Sequence, residues 1–317
     1  MAGQSMRDIK RRITSVKNIQ QITKAMELVS ATKLRRAQQS VETARPYAEK
    51  LQEVLDRLIA AEGVGRGRRK VQHPLLQGRT VEKVCYVIMT GDRGLAGAYN
   101  ANVLRLAEQT LAEETRPYEI ITIGRKGNEY LQRRGYEVRR DLIGIGDDVH
   151  FHQARDLSKM LTEMYTSGEA DEIKFVYTRF LSAGSQRPAV ETLLPLRALA
   201  AGAEAGDEAT AEAAEEAVVV AADAEEGIQY IYEPSPDEVL GLLLPRHVDM
   251  QVFAMLVEAK ASEHAARMRA MRSASDNAGE MIRTLTLSFN RARQAAITKE
   301  IAEIVGGAEA LQAGAGM

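Results

Sequence analysis

The chain has 317 residues, 45% apolar and 27% charged, which suffices to bury a core in one large domain or two smaller ones. An aromatic content of 5% with no Trp predicts mostly helix surface rather than a broad β core, and a lone cysteine, Cys85, excludes an intramolecular disulfide and fits a reducing compartment. The net charge of −2 conceals a split: seventeen Lys and Arg against seven Asp and Glu in residues 1–79, and nine acidic residues with no basic one in 198–227.

The opening residues MAGQSMRDIKRRITSVKNIQ have no apolar h-region, so no signal peptide is expected. Apolar residues then recur at Ile9, Ile13, Val16, Ile19, Ile22, Met26 and Val29. After a slip they continue at Ala37, Val41, Ala44, Ala48, Leu51, Leu55 and Leu58. Alternating steps of four and three are the repeat of a coiled-coil seam. Pro46 is expected to bend this helix, and GVGRGRRK (63–70) to end it. A helix from Met6 to Glu62 would run roughly 85 Å, far beyond what a globular domain needs.

The middle alternates. VEKVCYVIM, YEIITIG, ADEIKFVYTRF, AVETLLPL and IQYIYEP read as strands, with helices over 101–114, 126–134 and 149–166 between the earlier ones. That order predicts a parallel or mixed sheet covered by helices, a Rossmann-like α/β domain. An Ala/Glu-rich low-complexity segment at 198–227 interrupts it. The last segment mirrors the first: Val248 to Val305 has no Pro, and apolar residues recur through Ile282, Leu285, Phe289, Ala292 and Ala296, then Ile297, Ile301 and Ile304. Two long terminal helices can pair as an antiparallel coiled coil, and the small residues of 259–274 allow close approach. Three segments follow: an N-terminal long helix 1–62, an α/β domain 63–235 and a C-terminal long helix 236–317. No run approaches 18 uninterrupted apolar residues, so nothing is expected to span a membrane, and contact with one would come through a partner.

TGDRGLAGAYN (90–100) follows a strand and carries Gly91, Gly94 and Gly97. Their spacing is G-x-x-G-x-x-G rather than G-x-G-x-x-G, and no Gly-Lys-Ser/Thr follows, which favours a tight strand-to-helix turn over a phosphate cradle. Arg125 at the end of the second strand keeps a 2′-phosphate dinucleotide, and hence an oxidoreductase, as the runner-up reading. Asp147, Asp148, His150, His152 and Asp156 offer metal-binding side chains, yet the two carboxylates precede a helix they would cap, and the two histidines do not share a helix face. No metal or cofactor is therefore expected, and no nucleophile has its partners. The basic first helix has little aromatic interleaving, which argues against nucleic acid. The C-terminal Ile297, Ile301 and Ile304 outlast any intrachain cover and predict a partner surface.

IKRRITSVKNIQQITKAMELVSATKLRRAQ, TGDRGLAGAYNANV, YIYEPSPDEVL, SEHAARMRAMRSASDNA and NRARQAAITKEIAEIVGGAEAL together resemble the gamma-subunit family of the F-type ATP synthase over nearly the whole chain. The resemblance implies a non-catalytic central rotor shaft inside a hexamer of alpha and beta subunits. The α/β domain would be its foot, against the epsilon subunit and the c-ring, on the cytoplasmic side of a cell membrane. By motif match it implies coupling contacts at Met26, Arg267, Gln294, Thr298 and Glu300, with Arg293 and Glu303 beside them. Lys33, Arg35 and Arg36 would meet acidic lever segments of beta, and Tyr230 and Glu233 would face epsilon and the ring. Photosynthetic relatives in this family carry a regulatory dithiol insertion after a similar LLPL strand. The segment 198–227 occupies that place without a cysteine, so it would be an acidic flap or a solvated loop.

Overall fold

The computed structural model describes residues 6–63, 73–76, 79–196 and 235–314. The described elements are α1 (Met6–Gly63), β1 (Val84–Met89), α2 (Tyr99–Glu113), β2 (Tyr118–Ile123), α3 (Arg125–Arg133), β3 (Val138–Leu142), α4 (Phe151–Thr166), β4 (Glu172–Phe180), β5 (Gln186–Leu194) and α5 (Pro236–Gly314). This is the expected α/β class with two long terminal helices. The expected strand IQYIYEP, with Tyr230 and Glu233, and the acidic segment 198–227 lie outside the described residues. The chain divides into two compact units, one of Met1–Ser30 with Arg267–Met317, the other of Ala31–Ala266.

In the first unit α1 and α5 pair. Glu27 Oε1 lies 3.2 Å from Arg272 Nε, and the Gln20 amide donates to the Ser275 carbonyl at 3.4 Å. Numbers fall along α1 as they rise along α5, so the pair is antiparallel. The seam differs from the expected one. The buried and half-buried positions of α1 are Ile9, Ile13, Val16, Gln20, Thr23, Glu27 and Ser30, and the same phase continues along the helix through Leu34, Ala37, Val41, Ala44, Ala48, Leu51 and Leu55. The repeat never slips. Four consecutive core positions are polar, while Ile19, Ile22 and Val29 are exposed, Ile22 by 60%. Met26 is half-buried at the edge. Counting apolar residues had followed the outer face. On α5 the buried Arg267, Met271, Ser275 and Ala278 lead into half-buried Ile282, Leu285, Phe289, Ala292 and Ala296, the expected set.

In the second unit the strand order is β3-β2-β1-β4-β5, parallel except for β5, which runs antiparallel to β4 at the edge. Side chains alternate across the pleat. Val84, Tyr86 and Ile88 pack with Val103, Leu104, Ala107 and Leu111 of α2 and Leu131 of α3. Cys85, Val87 and Met89 face Leu157 and Leu161 of α4, Leu51 and Leu55 of α1, and Leu244, Val248 and Val252 of α5. Burial pushes the Cys85 thiol up to about 12, which leaves it a core residue with no reactive thiolate.

Helices α2, α3 and α4 begin and end within two residues of expectation. Strand β3 was not foreseen: VRRDL has an exposed charged middle, as an edge strand does, and so lacks an apolar signature. Helix α1 continues through Pro46, whose missing N–H removes one helical hydrogen bond while the flanking turns hold. Within α5, between Glu238 and Gly306, one 18-residue window is long and apolar enough to cross a membrane by length and composition, with mean hydropathy 1.3. The count of uninterrupted apolar residues missed it. Half of that window is buried inside the protein.

Candidate functional surface

The turn after β1 is closed by its own chain. Gly91 N–H donates to Asn100 Oδ1 at 2.9 Å, and a Cβ on Gly91 would meet Glu263 Oε1 of α5 at 2.8 Å. Gly97 has φ 57° and the exposed Leu95 φ 63°, so the turn needs two left-handed residues in three. Gly94 has open space around it and carries neither constraint. Tyr99 Oη donates to the Ala259 carbonyl at 3.1 Å, fixing the start of α2 against α5. The N-terminus of α3, where a dinucleotide phosphate would be drawn, already holds a carboxylate: Arg125 N–H donates to Asp92 Oδ1 at 3.0 Å. Packing thus explains Gly91 and backbone conformation Gly97, and the oxidoreductase reading is left without a phosphate seat.

Asp147 and Asp148 do not cap α4. Its N-cap is His150, whose N–H donates to Gln153 Oε1 at 3.0 Å, because the helix starts at Phe151 rather than at Val149. The two aspartates reach α1 instead. Lys33 Nζ donates to Asp147 Oδ2, Arg36 lies 3.8 Å from Asp148, and His264 Nε2 of α5 lies 3.8 Å from Asp147. Burial alone would raise the Asp147 carboxyl, but Lys33 outweighs it and holds the group below the ordinary carboxylate range. His150 and His152 stack their rings at 5.6 Å despite their spacing. Among the described residues no group of three or more His, Cys, Asp or Glu is placed to hold a metal.

The remaining candidates fall into two environments. Arg35 and Arg36 are exposed on α1, whereas Lys33 is half-buried against Asp147. Arg267 is buried. Arg293, Gln294, Thr298, Glu300 and Glu303 are all exposed on α5, with Glu303 3.6 Å from Lys299. Beside them Ile297, Ile301, Ile304 and Val305 are exposed too, Ile304 by 67%. On α1, Ile19, Ile22, Leu28 and Val29 form the corresponding apolar outer face. Residue-by-residue reading missed Gln20 and Glu27. Carrying the repeat forward from Ile9 regardless of polarity would have found both.

A helix pair with polar core positions and apolar outer ones is built to be covered by other proteins. The family described as ATP synthase matches residues 5–311. An ATP synthase gamma chain of Moorella thermoacetica is 49% identical over 307 residues, 97% of this chain and 99% of the relative. The chain belongs to the ATP synthase gamma-chain family. A second gamma chain, from Symbiobacterium thermophilum, is 47% identical over 98% of this chain and 99% of its own length. Among solved structures, a chain of the Euglena gracilis mitochondrial ATP synthase in the OSCP/F1/c-ring assembly has a TM-score of 0.65 at 20% identity, covering 98% of this chain and 95% of its own. A chain from the rotor of the same synthase scores 0.61 at 19% identity over 92% and 98%. These two share the fold. As a gamma chain the protein is a non-catalytic central-stalk subunit of ATP synthase, a complex whose catalysis is carried by the beta subunits.

Proposed function

We propose that this gamma chain is the rotor of its complex: it turns inside a hexamer of alpha and beta subunits and couples proton flow through the c-ring to ATP synthesis or hydrolysis. The observation that carries the reading is the outward apolar face of the helix pair, Ile19, Ile22 and Val29 on α1 with Ile297, Ile301 and Ile304 on α5. An asymmetric shaft shows a different face to each beta subunit and so biases each toward a different conformation and nucleotide affinity. Turning the shaft exchanges those biases.

In this reading Met26 and Arg267 lie where the helix pair meets the lower hexamer, and Arg293, Gln294, Thr298, Glu300 and Glu303 form the coupling surface near the end of α5. Arg35 and Arg36 are the exposed cations that would meet acidic segments of beta. Lys33 takes a different part, because its ammonium is already engaged by Asp147. Tyr230 and Glu233 serve the epsilon subunit and the c-ring, and the 63–235 domain is the foot between the shaft helices 1–62 and 236–317. The complex would sit at the cell membrane with this subunit on the cytoplasmic side, held there by the ring.

Co-expression with alpha and beta subunits is expected to give a stable hexamer that hydrolyses ATP and retains this chain. On membranes, the full complex is expected to pump protons with ATP. A hexamer that forms and pumps without the chain would overturn the reading.

A further inference from the structure

Glu27 is an unusual residue to find in a helix seam. It is only 6% exposed, sits at a core position and carries a carboxylate. Two cations answer it: Lys24 from its own helix at 2.9 Å and Arg272 from α5 at 3.2 Å. The Lys24 hydrogen bond holds its carboxyl below the ordinary range, so it stays charged near neutrality. Seven residues back along α1 the seam holds Gln20, and seven residues forward along α5 from Arg272 stands Gly279. A Cβ on Gly279 would come within 3.1 Å of Gln20 Nε2. The amide of Gln20 itself donates to the Ser275 carbonyl at 3.4 Å, so two polar contacts cross the seam within one heptad of α1.

We propose that Glu27 is the register pin of the helix pair, a positioning residue that admits one axial alignment of α1 against α5. Only slips of a whole heptad would restore the apolar part of the seam. Either slip moves Glu27 away from Arg272. In one direction it faces Gly279, in the other Ala265, and in both a buried carboxylate loses its cross-helix cation. Lys24 travels with Glu27 and still answers one oxygen, but the loss of Arg272 from the other costs more than the weak apolar packing of a seam built from Gln20, Thr23 and Ser30 returns. The same stretch is where the apolar residues have moved outside. A seam with little hydrophobic preference for one alignment gains a charged one, in addition to the packing of the far stretches of both helices on the sheet, and the outer face presents its contacts at fixed heights only if the two helices do not slide.

This inference rests on the rotor reading for its use, but it is tested separately from it. In the assembled complex, spin labels on cysteines introduced at the exposed Thr14 and Asp276 report the alignment, because a one-heptad slip shifts their axial separation by about 10 Å. Wild type is expected to give one narrow distance. Glu27→Leu removes the pin while making the seam more apolar, and is expected to add a second distance shifted by that amount and to lose ATP-driven proton pumping. Glu27→Gln, which keeps the size and an acceptor for Arg272, is expected to hold the wild-type distance more closely and covers the case in which Glu27→Leu fails to assemble. A single unshifted distance in Glu27→Leu, or in Glu27→Leu and Arg272→Leu combined, would overturn the pin. So would a shifted distance with pumping intact. A wild-type complex that holds one distance and does not pump would count against the rotor reading and leave the pin standing.

Discussion

The two units of this chain solve the problem of burial in opposite ways. In the α/β unit, apolar side chains go inside on both faces of the sheet, and the buried Thr90 Oγ1 accepts from Gly127 N–H at 2.8 Å. In the helix-pair unit, four consecutive core positions of α1 are polar, Gln20, Thr23, Glu27 and Ser30, while Ile19, Ile22 and Val29 face out. The α/β unit encloses hydrophobic clusters on both faces of its sheet. The helix pair leaves large apolar side chains uncovered by this chain. The contrast shows that hydrophobic position within a chain reports where burial finally happens, and for a subunit that need not be within its own chain.

The sharpest way to break the comparison is at the sheet. Gly124 has φ 94°, and a Cβ there would meet the Thr90 carbonyl oxygen at 2.1 Å. Gly124→Ala collides with backbone and strains φ together, and is expected to leave little folded chain, read by circular dichroism and solubility. Next in size is Leu161→Ala, which empties a fully buried site between α4 and the sheet. It should cost about 2–5 kcal/mol in urea unfolding. A smaller effect is expected of His247→Leu. His247 is buried neutral and its pKa is pushed down to about 4 by desolvation, so the unfolded chain binds the proton first. Stability is then complete above about 6.5 and falls as pH drops toward 4, by something on the order of 1–3 kcal/mol, and the variant should flatten that slope. Glu114 adds a separate window: Arg116 holds its carboxyl down to about 2, so its contribution is present above 4.5 and is lost on acidification toward 2, a limb that Glu114→Gln should lack. Smallest is Ile301→Ser on the exposed end of α5, expected within about 0.5 kcal/mol of wild type in the isolated chain. The same substitution is expected to weaken proton pumping in the complex. A large stability loss in the isolated chain would mean that this face is covered internally and would erase the contrast.

The sequence was most readable where burial is internal. Strands such as VCYVIM and helices of ordinary amphipathic pattern appear close to their expected bounds, because apolar residues there mark the core. It was least readable in two places. VRRDL is an edge strand paired on one side, so its charges carry no strand signal. On α1 the rule that apolar means inward led to Ile19, Ile22 and Val29, which this chain leaves exposed. The charges on α1 and before α4 were legible as charges and not as partners: nothing local links Lys33 to Asp147, 114 residues away.

One arrangement in the α/β unit carries a last consequence. In a sheet ordered β3-β2-β1-β4, the chain leaves β1 in one direction and returns on its other side at β4, and the crevice beyond the ends of those two strands is where folds of this kind grip a ligand. Here that crevice holds α5. Gly91, just past β1, lies against Glu263, and Ser262 Oγ donates to the Thr178 carbonyl near the end of β4 at 3.0 Å. The sheet treats a segment of its own C-terminal helix as the guest. A cleft that comparable sheets offer to a small molecule is filled here by a helix of the same chain, clasped by side chain and backbone at the ends of two strands.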